Sequence, residues 1–336
     1  MDKSITVACV QAAPVFMDLE GTIDKTIDLI KEAASRGAEL IAFPENWLPG
    51  YPWFLWLESP AALTPLVYQN SLVLGSEQAK RIASVAKENN IWLLLGLSER
   101  DHGTLYMVQW LISNTGETVG VRRKLKPSHV ELTLFGESDG SSLKTFTTEL
   151  GVIGALCCWE HIQPLTRYVM YAQHEQIHIG SWPSFSLYCD ITAALSPEVN
   201  IALSGSYAVE GQCFVIAPCA IVSEQIIEQL CTDKIKRNLL KAGGGYARIF
   251  GPDGSELTTP LAENEEGLLL ATLDPASITF AKAIADPVGH YSRPDVTSLL
   301  FNPAANRPLS IKAASFIELI YTKQIVLPGS EEVQAN

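Results

Sequence analysis

Three short segments, far apart in the chain, each carry one reactive side chain at what reads as the end of a strand. Phe43-Pro44-Glu45-Asn46 offers a carboxylate, Arg123-Lys124-Leu125-Lys126-Pro127 an ammonium, and Cys157-Cys158-Trp159-Glu160-His161 a thiol. A carboxylate can take a thiol's proton, and an ammonium can steady the charge that forms after attack. That set suffices for thiol-based hydrolysis without a catalytic histidine.

Each residue has a plainer reading. Cys158 closes an apolar strand-like run, where the alternative is a buried structural thiol such as that expected of Cys9. Cys157 is its rival, and strand neighbours point to opposite faces, so one of the two at most reaches a shared pocket. Glu45, alone, is a solvated loop acid. Partial burial would raise its pKa and make it a better base. Lys124 stands among Arg122, Arg123 and Lys126, which reads equally as an exposed basic face. Glu131, seven positions on, is placed to hydrogen-bond Lys124. Trp47, Tyr51, Trp53, Phe54 and Trp56 crowd the stretch after Glu45, as a pocket wall, an interface or plain core.

Two patterns compete for attention. Cys158, His161, His174 and His178 show C-x2-H-x12-H-x3-H spacing, which imitates a zinc count. They span a strand, a helix and the next strand of a large core rather than a small metal-folded module, so no metal is expected. His161 is a minor candidate as a base for Cys158. Gly243–Gly245 lacks the lysine and spacing of a phosphate loop and reads as a tight loop.

The elements needed to hold these residues alternate along the chain. Ile5–Gln11 reads as a strand. Ile23, Ile27, Ile30 and Ala34 recur at helical spacing, and Gly37 marks the stop. Leu40–Phe43 is a second strand, Glu77–Glu88 a helix and Ile91–Leu97 an apolar strand. Leu105–Ser113 and Thr118–Lys124 flank the turn residues Asn114-Thr115-Gly116. Val152–Cys157, Ile177–Gly180, Cys213–Pro218 and Glu266–Leu273 are further strands, with helices at Pro164–His174 and Ser196–Glu210. Mixed strands, hairpins and helices imply an α/β protein with helices covering sheet faces.

Composition narrows the class. The 336 residues are 47% hydrophobic and 18% charged, which supports a large core. A net charge of −13 without a basic run argues against nucleic acid or an anionic membrane surface as partner. No apolar run approaches the ~20 residues of a membrane span. Seven irregularly spaced cysteines and an N-terminus without signal-peptide features point to free thiols in the cytoplasm.

On these motifs the sequence resembles the nitrilase superfamily, and within it the true nitrilase branch. Phe-Pro-Glu at 43–45 is similar to the family's glutamate motif, and Arg-Lys-Leu-Lys-Pro-Ser-His-Val-Glu at 123–131 to its lysine motif. Cys-Trp-Glu-His at 158–161 is similar to its cysteine motif. Phe-Gly-Glu-Ser-Asp-Gly at 135–140 and Asp-Pro-Val-Gly-His-Tyr-Ser-Arg-Pro-Asp at 286–295 extend the likeness, which runs from Val7 to about Asp295. The resemblance implies Glu45 as general base, Lys124 as catalytic lysine, Cys158 as nucleophile and Glu131 as second glutamate. It prefers Lys124 to Lys126 and Cys158 to Cys157. The expected substrate-binding residues are Tyr51, Trp53, His129, Trp159 and Trp182. Ser138, Leu132 and Cys157 depart from residues common in this branch.

The implied fold is a four-layer αββα sandwich, a single domain over residues 1–290. Residues 291–336 are expected as a tail that serves assembly and ends in a mobile stretch. The implied activity is hydrolysis of a nitrile to acid and ammonia through a covalent cysteine intermediate, with no metal or organic cofactor. Homodimers that build larger oligomers or spirals are expected. Alternatives are an amidase or carbamoyl hydrolase, a cyanide hydratase, and a catalytically silent assembly protein.

Overall fold

In a computed structural model of the chain, which describes residues 1, 3–57 and 63–306, twelve strands build two sheets. The chain divides into two units, Met1–Ala304 and Ala305–Asn336, and both sheets belong to the first. Residues 307–336 of the expected assembly tail lie outside the described residues.

The first sheet contains β1 (Ile5–Ala12), β2 (Leu40–Ala42), β3 (Trp92–Asp101), β4 (Thr104–Ile112) and β5 (Thr118–Arg123), side by side in that order. The second contains β6 (Phe146–Thr148), β7 (Gly151–Cys157), β8 (Ile177–Ser181) and β9 (Phe214–Ala217). Three further strands complete the pair: β10 (Cys219–Ala220) and β12 (Gly267–Leu273) flank β1, and β11 (Arg248–Phe250) flanks β9.

Alternation along the strands decides what faces what. Val7, Cys9, Leu40, Ala42 and Leu94 of the first sheet cluster with Ile153, Ala155, Ile177, Ile179 and Val215 of the second. Their neighbours Ala8, Val10, Ile41, Leu93 and Leu95 pack instead on Ile23, Ile30 and Ala33 of the helix Leu19–Ser35 and on Ile82 and Ala86 of Glu77–Glu88. The helices Pro164–Tyr171 and Pro197–Gly211 cover the other side through Met170, Tyr207 and Ala208. The result is the four-layer αββα sandwich that the resemblance implied.

The two sheets are tied near the carboxyl ends of their strands. Gln109 of β4 donates to the carbonyls of Leu156 and Ile179 at 3.2 and 3.3 Å and to Ser181 Oγ at 2.9 Å. Ser181 Oγ in turn donates to the Phe43 carbonyl at 3.1 Å. These bonds fix the ends of β2, β7 and β8 against one another.

The differences from the sequence reading are at boundaries and in short elements. β2 ends at Ala42, although the Phe43 amide still bonds Leu94 at 2.9 Å. The third helix ends at Tyr171, and His174 beyond it is left-handed at φ 58°. The helices Phe54–Leu57, Thr64–Asn70, Glu224–Leu230 and Lys234–Leu239 are too brief to show a clear period. Pro275–Ile284 is longer and was not anticipated; Asp274 caps the Ala276 amide, with Pro275 in the first turn. Among the described residues no helix is long and apolar enough to cross a membrane.

Candidate active site

Each of the three reactive residues lies within three residues of a strand's carboxyl end, where α/β sheets collect their chemistry. Glu45 lies three residues past β2, and its amide crosses to the Trp182 carbonyl of the other sheet at 3.2 Å. This path runs tight over β3. A Cβ at Gly96 would fall 1.9 Å from the Pro44 carbonyl oxygen, so a side chain there has no room. Lys124 follows β5 and keeps one more ladder bond, from its amide to Met107 at 2.8 Å. Cys158 follows β7 and turns left-handed at φ 45°, opening the 3₁₀ turn Cys158–Ile162. Such a backbone costs a residue with a side chain about 1–3 kcal/mol and persists only where its surroundings enforce it.

Glu160 supplies much of that enforcement. Its Oε2 accepts from the Cys157 amide at 2.8 Å, and its Oε1 accepts from the Leu125 amide at 2.8 Å and from Arg122 at 2.5 Å. One buried carboxylate therefore grips the residue before the thiol and the residue after the lysine. Burial works against its charge, but Arg122 and the two amides outweigh burial and hold its pKa below the ordinary value. Sequence reasoning missed this pair. Arg122 belongs to the interior, not to a basic face, whereas Arg123 pairs with Glu99 and Asp101 and Lys126 with Glu137.

The side chains of Glu45 and Lys124 are fully buried and bonded. Lys124 Nζ donates to Glu45 Oε1 and to Glu131 Oε2, each at 2.8 Å, so the bond suggested by the seven-residue separation is present. Glu131 also accepts from Tyr51 at 2.7 Å and from the Ser128 amide at 2.6 Å. Glu45 Oε2, by contrast, is buried without a partner. Burial raises the Glu45 carboxyl, Lys124 opposes it and Glu131 adds to it, leaving the group pushed up to about 8. Burial disfavours the Lys124 charge, yet Glu131 and Glu45 together hold its pKa well above the usual lysine value. The Cys158 thiol is also raised, by burial first and the Glu45 charge second, while Lys124 pulls the other way.

Cys158 and Glu131 face a cavity with about 470 Å³ of empty space, measured out to its open mouth. Tyr51, Trp53, Trp56 and Trp159 form aromatic walls, and Phe185, Leu187 and Leu195 close it with apolar surface. Tyr51, Trp53 and Trp159 were expected there. His129 and Trp182 are elsewhere. His129 stacks on Trp56 at 5.0 Å and borders a neighbouring groove. Trp182 is buried, bonded to Ser204 at 2.9 Å and stacked on His161. Trp47 and Phe54 of the aromatic loop are core residues. Asn200 was not expected: it lines the cavity and accepts from the Trp159 indole at 3.1 Å.

Residues 6–283 match the family described as carbon-nitrogen hydrolase. The chain belongs to the carbon–nitrogen hydrolase family. It is 65% identical over 306 residues to a protein of Pseudomonas syringae pv. syringae (strain B728a) named nitrilase, covering 90% of this chain and 91% of that one. It is 48% identical over 311 residues to an Alcaligenes faecalis protein named arylacetone-specific nitrilase, covering 92% and 87%. Among solved structures, the carbon-nitrogen hydrolase of Helicobacter pylori G27 shares the fold with a TM-score of 0.70 at 20% identity, over 87% of this chain and 96% of that one.

Within this carbon–nitrogen hydrolase, the features that competed in the sequence resolve into other roles. His174 is exposed, while His161 and His178 are buried and face each other through Nε2 at 3.0 Å. Among the described residues no group of three or more His, Cys, Asp or Glu side chains is arranged to hold a metal ion. His161 Nδ1 contacts the Cys158 carbonyl at 2.6 Å, so both its nitrogens are engaged and neither is left for the thiol. Gly243 and Gly244 are left-handed, and a Cβ at Gly244 would fall 2.3 Å from Ser184 Oγ, so this loop backs the cavity wall. Of the three residues that depart from the branch, Cys157 is buried, Ser138 bonds Ser142 at 2.5 Å and Leu132 is exposed; none lines the cavity.

Proposed function

We propose that the chain hydrolyses nitriles to carboxylic acid and ammonia with Cys158 as nucleophile, Glu45 as general base, and Lys124 and Glu131 as its charged support. The observation that carries the reading is the division of labour on Glu45: Oε1 is bonded to Lys124, and Oε2 is the buried acceptor left without a partner. The relatives named nitrilase support the substrate class, and the aromatic walls of the cavity support aromatic or arylaliphatic nitriles.

The steps balance with these groups and two waters. Glu45 Oε2 takes the proton from Cys158, and the thiolate forms a bond to the nitrile carbon. The nitrogen accepts a proton, giving a thioimidate. Water loses a proton to Glu45 and adds to that carbon, giving a tetrahedral intermediate. Lys124, held cationic by its two carboxylates, stabilises the developing charge. The carbon–nitrogen bond breaks with proton return, ammonia leaves and a thioester remains. A second water releases the acid and returns the proton to sulfur. Breaking the carbon–sulfur bond first would release an amide.

We propose further that the enzyme works as a homo-oligomer in the cytoplasm. Exposed Leu165 and Val209 on the helices covering the second sheet, and seven unpaired cysteines, support this. Light scattering is expected to show a dimer or larger, and a monomer at working concentration would contradict it. The function itself is tested by a panel of aromatic, arylaliphatic and aliphatic nitriles, with acid, amide and ammonia scored separately. Acid and ammonia in equal amounts are expected. Hydrolysis of amides with no nitrile turned over would contradict the proposal.

A further inference from the structure

A second polar assembly lies buried among the same elements, and none of its members lines the cavity. His161 Nδ1 faces the Cys158 carbonyl at 2.6 Å, and a carbonyl can only accept, so Nδ1 carries the hydrogen. His161 Nε2 lies 3.0 Å from His178 Nε2, and His178 Nδ1 lies 3.1 Å from Glu175 Oε2. Glu175 Oε1 accepts from the Tyr207 hydroxyl.

With both rings neutral, one proton order satisfies every contact. His161 Nε2 is bare, so His178 Nε2 must donate to it. His178 Nδ1 is then bare, and a bare nitrogen faces a carboxyl oxygen stably only if that oxygen carries the proton. Two alternatives satisfy the same contacts: a Glu175 carboxylate balanced by a doubly protonated His178, its direct neighbour, or by a doubly protonated His161. Burial decides against both, because it disfavours the charged form of each of these groups in the interior. It pushes Glu175 up to about 8, holds His178 well below the usual imidazole value with Arg122 adding, and, with His178 adding, drives His161 down to about 3. The other titratable groups nearby are Arg122 and Glu160, which neutralise each other, and the buried Tyr171 and Cys213.

The strands make space for this assembly. Gly154 of β7 pairs with His178 of β8, and a Cβ on it would fall 1.7 Å from Glu175 Oε2. A Cβ on Gly180 would fall 3.0 Å from His161 Nε2. Side chains at these two positions would displace the acid or crowd the ring.

We infer that Tyr207, Glu175, His178 and His161 form one proton-ordered chain, with Glu175 as a neutral acid, whose last hydrogen bond holds the Cys158 carbonyl and thereby positions the nucleophile in its left-handed turn. The inference rests on Cys158 being the nucleophile. His161 and Glu175 are positioning residues, since neither reaches the cavity.

The first test needs no substrate. A neutral Glu175 keeps its proton in the folded state to about 8, while the unfolded carboxyl releases it at about 4.3. Between those values the folded state binds more protons, so stability falls as pH rises. Glu175→Gln donates and accepts like the neutral acid and does not titrate. His161 is common to both proteins and cancels in the difference. The melting temperature of E175Q relative to wild type should therefore climb from pH 5 to pH 8. A flat or falling difference, or an E175Q protein that does not fold, would overturn the inference.

The second test reads the nucleophile. His161→Leu removes the donor to Cys158, and His161→Asn keeps an N–H at the same position along the side chain. In H161L, iodoacetamide labelling of Cys158 and kcat should both fall, kcat by about 10²-fold with little change in KM. H161N should recover most of both. Equal loss in the two variants would overturn the inference. If melting and labelling behave as expected while wild type turns over no nitrile, the functional proposal fails and the chain of hydrogen bonds stands.

Discussion

Glu45 gives one carboxylate oxygen to Lys124 at 2.8 Å and keeps the other without a partner. A base in that position is held by its cation yet not consumed by it. The pairing also explains why two carboxylates and one ammonium are buried together. Glu131 takes the remaining side of the ammonium, and its own second oxygen is satisfied by Tyr51.

The first consequence is a pH profile. Glu45 must be deprotonated to accept the thiol proton, and burial has pushed it up to about 8. Activity should therefore rise with pH along an acid limb near that value, which belongs to the coupled Glu45, Lys124 and Cys158 set rather than to one residue. The kcat/KM profile of the free enzyme measures it. An acid limb near the ordinary carboxylate range would contradict the electrostatic account.

Glu131→Gln should weaken the site through Lys124. Glutamine presents one donor where Glu131 accepts from three groups, so one orientation sets an N–H against Lys124 and Ser128 and the other against Tyr51. The expected loss in kcat is about 10²-fold, from misplacement of the ammonium, with a smaller change in KM. Steady-state kinetics on a folded sample check this.

Gly96→Ala should act on Glu45 without touching it. The added methyl would meet the Pro44 carbonyl at 1.9 Å, and backbone cannot yield cheaply. A destabilisation of about 1–3 kcal/mol is expected, the range of overpacked interiors. Denaturant unfolding measures it, and kcat should fall in step because the displaced segment carries the base.

Cys157→Ala should keep measurable turnover. Cys157 is buried and absent from the cavity lining, so its loss is one of packing, on the order of 1 kcal/mol. Complete loss of activity in a folded C157A sample would mean that the other thiol is the nucleophile.

The strand ends were legible because β2 and β7 read as apolar runs and β5 follows a hairpin signal, and each reactive residue stands just past one of these strands. Leu40–Phe43, Thr118–Lys124 and Val152–Cys157 placed Glu45, Lys124 and Cys158 before any coordinates. Choosing Cys158 over Cys157 and Lys124 over Lys126 took family resemblance, since alternation says that neighbours diverge but not which one faces the pocket. Arg122, Glu160 and the chain from Tyr207 to His161 escaped notice because buried polar pairs join residues from different elements. Asn200 reaches the cavity from the Pro197–Gly211 helix, and no local pattern marks it. Trp182, expected at the substrate from the resemblance, is instead buried, and its indole bonds Ser204 in the interior.

The central claim is tested most directly by comparing wild type and Cys158→Ala on one hydrolysed nitrile, with product release and the intact mass of the protein followed together. Wild type should turn over and yield an acyl-sized mass increase mapping to the Cys158 peptide. C158A should stay folded, form no adduct and release no acid or amide. Acid production by C158A at a rate approaching wild type would contradict the account.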